Sequence, residues 1–508
     1  MNYIPFRFTR PKQLELVAKP KLSVAVVIAC RDGQEKLNLV LASLAQQTYP
    51  SSLTRVYIID DGSEKALVLP TLKPKNTKII KYSNVGEYWG KTVATNDVVE
   101  KLKEDVLWFL DADMVVEPDH LSHHMKWHHD NSDYVVLGWK RFVQEWNYTP
   151  KELATALSKG RFHQLHQESW GKDLWESRIE RTQELTNPGY DGYRSLVGAT
   201  FSMMRSNWEA LGGYDRNLRT GEDTELGWRV FNSGLRMLPE RDAHSWHLGY
   251  STIETNKELL HKHNDPSLAQ LIPQFHAVRA RYPYRYLVPT YDVIVDVRDT
   301  TLVQLQGLKA NLLSLQGTQA RFTLLGPWHQ LLERYSPVED ANANLREILN
   351  WLSEEPDYSF VAIDSDEELA IDNLVESFTH SATHYYLFIE GSFDLNLKDL
   401  VDHLHATNNG FVGVASKEDK RAFAIYGPAL ARAQRMGGWI YSNISSAWGV
   451  EWVTEEKFLQ LYQGKHNRIG KFITFLKREG KKVNSLPQLL IFVKKIAKLV
   501  IKKATGRG

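Results

Sequence analysis

The sequence predicts an α/β protein built from two successive modules, and three observations carry that prediction. Short apolar, β-branched runs recur at Ser23–Ala29, Arg55–Ile59 and Val106–Leu110, with amphipathic helical stretches between them. That alternation is the pattern of a doubly wound, mostly parallel sheet. The runs end in carboxylates, at Asp32, at Asp60 and Asp61, and at Asp111 and Asp113. A fresh alternation of the same kind begins after Pro289. At 508 residues the chain exceeds what one core serves, so we divide it at 1–285, 286–460 and 461–508.

Composition and charge narrow the function classes. A net charge of +1 gives no whole-chain attraction to nucleic acid. Cys30 is the only cysteine, which excludes an internal disulfide and a cysteine-based zinc site and suits a reducing cytosol. The opening residues lack a continuous apolar segment, so no secretory signal is expected. No apolar run approaches the ~20 residues of a spanning helix. Charge is nevertheless uneven: from Lys471 to Gly508 there are eleven Lys/Arg and one acid, Glu479. Within that tail Leu489–Lys503 has helical periodicity, with Lys494, Lys495, Lys498 and Lys502 on one face. Such a basic amphipathic helix would hold the chain peripherally on an anionic, cytoplasmic membrane face; the alternative is a domain-covering helix with solvated lysines.

In the first module, Ser23–Ala29 is a strand, and Glu35–Gln47 a helix with Leu37, Val40, Leu41 and Leu44 inward. Arg55–Ile59 and Lys78–Tyr82 are further strands, followed by a helix over Thr92–Lys103. Val106–Leu110 is an unbroken apolar run, expected as a buried strand. Ligands of open α/β sheets sit at the carboxyl ends of strands, where Asp111 and Asp113 would lie. Two carboxylates at i, i+2 can approach one divalent cation. No P-loop and no G-x-G-x-x-G is present, so a phosphate-bearing ligand would need that metal, with Lys91 as an added charge.

His120, His124 and His128 share a helix face at spacing i, i+4, i+8, and are expected as partly packed imidazoles on a surface helix rather than as zinc ligands. The polar, aromatic stretch Gln144–Asn187 carries Trp146, Tyr148, Trp170 and Trp175, either as a stacking surface for sugars or as an insertion packed on the core. Farther on, Glu222 and Asp223 open a helix with Leu226, Val230 and Phe231 inward. Acids in a first turn complement the helix dipole, and the same field would help keep Asp223 ionised, as a general base requires. His244 and His247 follow, either of which could complete a metal site.

Together these pieces resemble the family-2 glycosyltransferases of GT-A fold, the nucleotide-sugar-binding, Rossmann-like class. The matching stretches are Val27–Gly33, Gln47–Pro50, Ile59–Ser63, Phe109–Asp113, Leu211–Asp215 and Gly221–Gly227, in family order over about half the chain. The resemblance implies that Asp32 and Asp61, with Asp60 beside them, contact the uracil and ribose of a UDP-sugar. It implies that Asp111 and Asp113 hold Mn²⁺ or Mg²⁺ on the diphosphate, with His247 preferred over His244 as a nitrogen ligand, and that Asp223 is the inverting base supported by Glu222. The implied reaction moves a hexosyl or N-acetylhexosaminyl unit to a hydroxyl of a cell-surface glycan or lipid-linked acceptor. A nucleotidyltransferase is a competing reading, and so is a non-catalytic sugar-nucleotide or glycan-binding module. The Glu222–Asp223 helix and the Gly212–Asp215 segment argue against the first, and intact Asp111, Asp113 and Asp223 against the second.

In the second module, Tyr291–Val297, Arg321–Leu325, Phe360–Ile363 and Tyr385–Ile389 read as strands. Glu390-Gly391-Ser392 stands where the first module has Asp111-Ala112-Asp113, so a degenerate, non-catalytic GT-A-like module is expected, serving acceptor binding or assembly; the alternative is an unrelated α/β domain. The two-part layout bears a looser resemblance to actinobacterial cell-envelope glycosyltransferases.

Overall fold

The computed structural model describes residues 13–83, 89–166, 174–186, 191–249, 256–378 and 383–462. The basic stretch Leu489–Lys503 and Trp170 lie outside the described residues. No described helix is long and apolar enough to cross a membrane.

The β-branched and apolar runs at Val24–Cys30 and Val106–Leu110 form strands shielded on both faces, whereas the edge strand Thr77–Lys81 stays half-exposed. β1 (Val24–Cys30), β2 (Thr54–Asp60), β3 (Thr77–Lys81) and β4 (Val106–Leu110) run parallel, with β1 central. β5 (Met114–Val116), β6 (Tyr134–Val143), β7 (Thr200–Met204) and β8 (Arg236–Leu248) complete an eight-stranded sheet of order β3-β2-β1-β4-β7-β6-β8-β5. The sheet is mixed: β7 runs antiparallel between β4 and β6, and β5 antiparallel against β8. Helices occupy Gln34–Leu44 and Lys91–Val99, the second ending four residues before the Lys103 read from sequence.

The histidine helix differs from expectation. It spans His120–Asp130, and the face carrying His120, His124 and His128 is buried against the sheet. Hydroxyls of β7 explain why imidazoles sit there. His120 Nε2 meets Thr200 Oγ1 at 3.0 Å, and His124 and His128 share Ser202 Oγ at 2.8 and 2.7 Å. Burial pushes His120 and His128 down to about 3, so these rings are neutral packing elements. Their spacing does place them on one face, but that face is internal.

β9 (Tyr291–Asp296), β10 (Ala320–Gly326), β11 (Tyr358–Ala362), β12 (Tyr385–Glu390), β13 (Phe411–Ala415), β14 (Arg421–Tyr426) and β15 (Val450–Thr454) form the second sheet. Its order is β11-β10-β9-β12-β14-β13-β15. Position by position this repeats β3-β2-β1-β4-β7-β6-β8, including the antiparallel insertion of β14 beside β12 and the parallel β13–β15 pair. The second module is therefore a topological copy of the first without β5.

One apolar core runs through both sheets. The Glu222–Asn232 helix makes the junction: Trp228 packs on His384 and Phe231 on Tyr426, with ring centroids 5.2 and 6.3 Å apart. Beside it, Asp133 accepts from Arg432 at 2.6 Å and from Arg435 at 2.8 Å.

Candidate active site

The carboxyl ends of β1, β2 and β4 open on one side of the first sheet. At β4 the chain turns through Asp111-Ala112-Asp113, closed by the Met114 N–H on the Asp111 carbonyl at 3.2 Å and fastened by the Leu248 N–H on the Asp113 carbonyl at 2.9 Å. The turn is thereby locked to the end of β8, where His247 pairs with Met114. His247 Nε2 lies 3.5 Å from Asp113 Oδ1. One ligand atom each from Asp111, Asp113 and His247 falls within a 4.8 Å cluster.

This donor set fits a divalent ion. Burial holds His247 below its usual range, although Asp113 opposes the shift, so the ring is neutral, as metal ligation requires. Its Nδ1 is buried without a hydrogen-bond partner among the described residues. A mixed nitrogen–carboxylate set suits Mn²⁺ better than Mg²⁺. His244 is excluded from this cluster by strand geometry. It lies three positions before His247, an odd offset, so the two side chains leave β8 on opposite faces, and His244 lies instead with Glu117 and His163.

Lys91 joins this cluster to the second acidic feature. Gly90, with φ of 98°, starts the Lys91–Val99 helix, and Lys91 Nζ sits 3.1 Å from Asp111 Oδ1 and 3.4 Å from Glu222 Oε1. Burial opposes the ammonium, yet the surrounding carboxylates hold it well above the usual lysine range.

Glu222 and Asp223 open the Glu222–Asn232 helix behind Gly221, whose φ of 78° is a left-handed entry. Asp223 accepts from the Gly198 N–H at 3.2 Å and the Thr224 N–H at 2.7 Å. Burial first, then the Glu222 charge, pushes Asp223 up to about 6; the two N–H donors and Lys91 pull the other way. The helix-terminus field expected to keep it ionised is thus outweighed by desolvation, leaving a carboxyl poised near neutrality. Gly227 explains the helix's fixed depth, because a Cβ there would stand 2.3 Å from the Tyr193 carbonyl oxygen.

The three remaining aspartates differ from one another. Asp60 is buried and accepts from the Ser63 and Leu67 N–H groups at 3.0 and 3.2 Å, so it pins its own loop. Burial disfavours its charge, but those bonds hold it below the usual range. Asp61 keeps Oδ1 buried with no partner among the described residues, and burial raises its pKa. Asp32 has a left-handed backbone, φ 54°, and accepts from the Glu64 N–H at 2.8 Å, joining the β1 and β2 ends.

Lys36 escaped the sequence reading. Its Nζ lies 3.3 Å from Asp113 Oδ2 and donates to the Leu248 carbonyl at 2.5 Å. The only signal was a lysine in the first turn of the helix after Asp32. Trp146 stands beside it, 5.3 Å from Lys36 Nζ. Trp175 is instead buried against Trp139.

Among the described residues the second module has no such arrangement. At the matching strand ends Asp296 pairs with Arg298 at 2.9 Å and Glu390 with Arg421 at 3.1 Å. A Cβ at Gly391 would meet Thr300 Oγ1 at 2.3 Å. Among the described residues, no group of three His, Cys, Asp or Glu ligands converges there.

The chain is similar to known glycosyltransferases. An uncharacterized glycosyltransferase of Bacillus subtilis, YfnE, is 26% identical over 254 residues, covering 44% of this chain and 64% of the relative. The chain thus matches somewhat less than two thirds of that relative's length. Among solved structures, the Pyrobaculum calidifontis mannosyltransferase PcManGT in complex with GDP-Man and Mn²⁺ is 15% identical, with a TM-score of 0.34, covering 55% of this chain and 67% of its own. S. aureus TarS 1–349 in complex with UDP-GlcNAc is also 15% identical at TM-score 0.34, covering 51% and 73%. The family model for glycosyl transferase family 2 matches residues 25–197, the span that contains Asp32, Asp61, Lys91, Asp111 and Asp113. Over that span the first module is similar to glycosyl transferase family 2.

Proposed function

We propose that the first module transfers a sugar from a nucleotide-diphosphate sugar, UDP-linked, to a hydroxyl of a glycan or lipid-linked acceptor, with inversion. One observation carries the reading: Lys91 links the Asp111–Asp113–His247 cluster to the Glu222–Asp223 pair, so a metal clamp and a base face one crevice. Asp111, Asp113 and His247 would hold Mn²⁺, and the ion would supply Lewis-acid stabilisation to the departing diphosphate.

The chain's own groups account for the remaining steps. Asp61 offers its unpaired buried oxygen to the nucleoside, while Asp60 holds the loop that presents it. Lys91 and Lys36 add positive charge where phosphates gather, and each is already oriented by an acid. Asp223 removes the acceptor proton; a base titrating at about 6 is mostly ionised at neutral pH yet still basic enough to take a proton. Glu222 tunes Asp223 and anchors Lys91. Trp146, beside Lys36, offers a stacking face to a sugar. The second module, its matching strand ends neutralised by arginines, serves acceptor binding or assembly.

Purified protein with Mn²⁺ should release nucleoside diphosphate from one member of a nucleotide-sugar panel. Asp223→Asn should abolish that turnover while metal-dependent nucleotide affinity stays nearly intact. Normal turnover by that variant would remove Asp223 from the base role.

A further inference from the structure

A second convergence of metal-ligating side chains lies away from this crevice. β5 is only three residues long, with Asp113 just before it and Glu117 just after it. It pairs with β8 so that Met114 faces His247 and Val116 faces Ser245, and the Glu117 N–H donates to the His244 carbonyl at 3.1 Å. Asp113 and His247 therefore stand at one end of the β5–β8 ribbon, and Glu117 and His244 at the other. At that far end a third side chain arrives from the turn Phe162–Gln164: His163 Nε2 is 3.5 Å from Glu117 Oε1, and its ring packs edge-on to His244 at 4.9 Å. One ligand atom from each of the three falls within 4.8 Å of the others.

We propose that Glu117, His163 and His244 form a separate metal site for a borderline transition ion of the Zn²⁺ type, fastening the Phe162–Gln164 turn to the β5–β8 ribbon. The donor set is two imidazoles and a carboxylate, which such ions prefer and hard ions such as Mg²⁺ do not. The spacing also suits it, because bonds of about 2.1 Å in a tetrahedron put neighbouring ligand atoms roughly 3.4 Å apart. The observed His163–Glu117 distance of 3.5 Å is that edge. The one pairing of these ring nitrogens among the described residues is the long His163–Glu117 contact itself, which a shared metal ion would replace.

A neighbouring cluster shows what a satisfied site looks like. His123, Glu240 and Asp242 also converge, but Lys126 Nζ already lies 3.0 Å from Glu240 and 3.3 Å from His123. Trp127 and the Asp242 N–H donate to the two Glu240 oxygens. That cluster holds an internal cation and has no donors to spare. At Glu117 no lysine or arginine makes an ion pair among the described residues, and Asp119 and Asp242 add negative charge nearby. The turn is otherwise held to β8 by Phe162, which stacks on Trp246 and accepts a long bond from its indole N–H at 3.4 Å, so a metal bond would add to its stability.

The test is zinc content of the full chain after chelation, reloading at low-micromolar Zn²⁺ and gel filtration, read by mass spectrometry for wild type, His163→Gln and Asp113→Asn. His163 is largely exposed, so its substitution spares the core. The proposal expects His163→Gln to lose one equivalent relative to wild type, and Asp113→Asn to keep that equivalent. Co²⁺ substitution should give the visible bands of a four-coordinate ion in wild type and Asp113→Asn but not in His163→Gln. Equal zinc in His163→Gln and wild type would overturn the proposal, as would loss of all zinc in Asp113→Asn.

Discussion

Glu222→Gln and Lys91→Met should move the acid limb of the pH–rate profile in opposite directions. Asp223 is pushed up to about 6 by burial and then by Glu222, while Lys91 pulls it down. A base with that value is about nine-tenths ionised at pH 7 and about one-tenth at pH 5, so kcat/KM should fall roughly tenfold per unit below the midpoint. Removing the Glu222 charge lowers the Asp223 pKa, extending activity to more acid pH. Removing the Lys91 ammonium raises it, so activity fails sooner on acidification. A charge at contact range commonly shifts a carboxyl by about one unit or more, equal to about 1.4 kcal/mol of differential interaction. The assay is initial nucleoside diphosphate release at subsaturating substrate and fixed Mn²⁺, across pH. Midpoints rather than absolute rates carry the comparison, because Lys91 also borders Asp111. Two variants with unmoved midpoints, or a limb that survives in Asp223→Asn, would refute the assignment.

Other perturbations follow from the same contacts. Asp111→Asn with Asp113→Asn should abolish sugar transfer and Mn²⁺-dependent donor binding with unchanged circular dichroism; substantial residual transfer would mean that the second module is active. Gly227→Ala places a Cβ 2.3 Å from the Tyr193 carbonyl oxygen, so overpacking of about 1–3 kcal/mol should lower Tm, and displacement of the helix start should lower kcat. Asp133→Asn removes the carboxylate that the buried Arg432 guanidinium meets at 2.6 Å, a loss of about 3 kcal/mol readable by urea denaturation. Burial disfavours Asp133 ionisation, but its bonds from Arg435 and Arg432 hold its pKa below the usual range. Its stabilising contribution is therefore present above the unfolded value near 4 and lost as pH falls through the folded one, and the acid sensitivity of wild type should be reduced in the variant.

What the sequence revealed depended on how local the signal was. The strand ends Asp32, Asp61 and Asp111–Asp113 follow continuous apolar runs, and burial on both faces leaves such runs few alternatives to a central strand. The antiparallel placement of β7 was not legible, because Thr200–Met204 is reached only after a long excursion, and direction is set by packing rather than by residue type. The preference for His247 over His244 rested on the resemblance, and the β8 register supplies its geometric reason. That register includes an irregularity after Gly138, where pairing jumps from Glu240 to His244. The histidine helix was read with the right periodicity and the wrong environment, since spacing reports which residues share a face and not what the face meets. The pull on Lys36 from Asp113 joins residues 77 apart in sequence, a contact no local pattern encodes.

The repeated topology makes the two crevices comparable residue by residue. In the first, two acids end β4 and a third side chain reaches them from β8, with ammonium groups only on the flanks. In the second, each strand-end acid is matched by its own guanidinium: Asp296 by Arg298, which also reaches Asp366, and Glu390 by Arg421. A divalent ion gains little from carboxylates already neutralised, and displacing a guanidinium held by parallel bonds costs more than displacing water. Gly391 closes the space as well, since its backbone lies against Asp296 and Thr300 where a side chain would have to stand. The same fold therefore carries an open cluster of candidate metal ligands in one copy and a closed, self-neutralised surface in the other. The helix that carries Asp223 runs from the first crevice to the core of the second module, where Trp228 and Phe231 pack against it. The copy without the Asp111–Asp113–His247 cluster is thus the footing against which the helix carrying Asp223 packs.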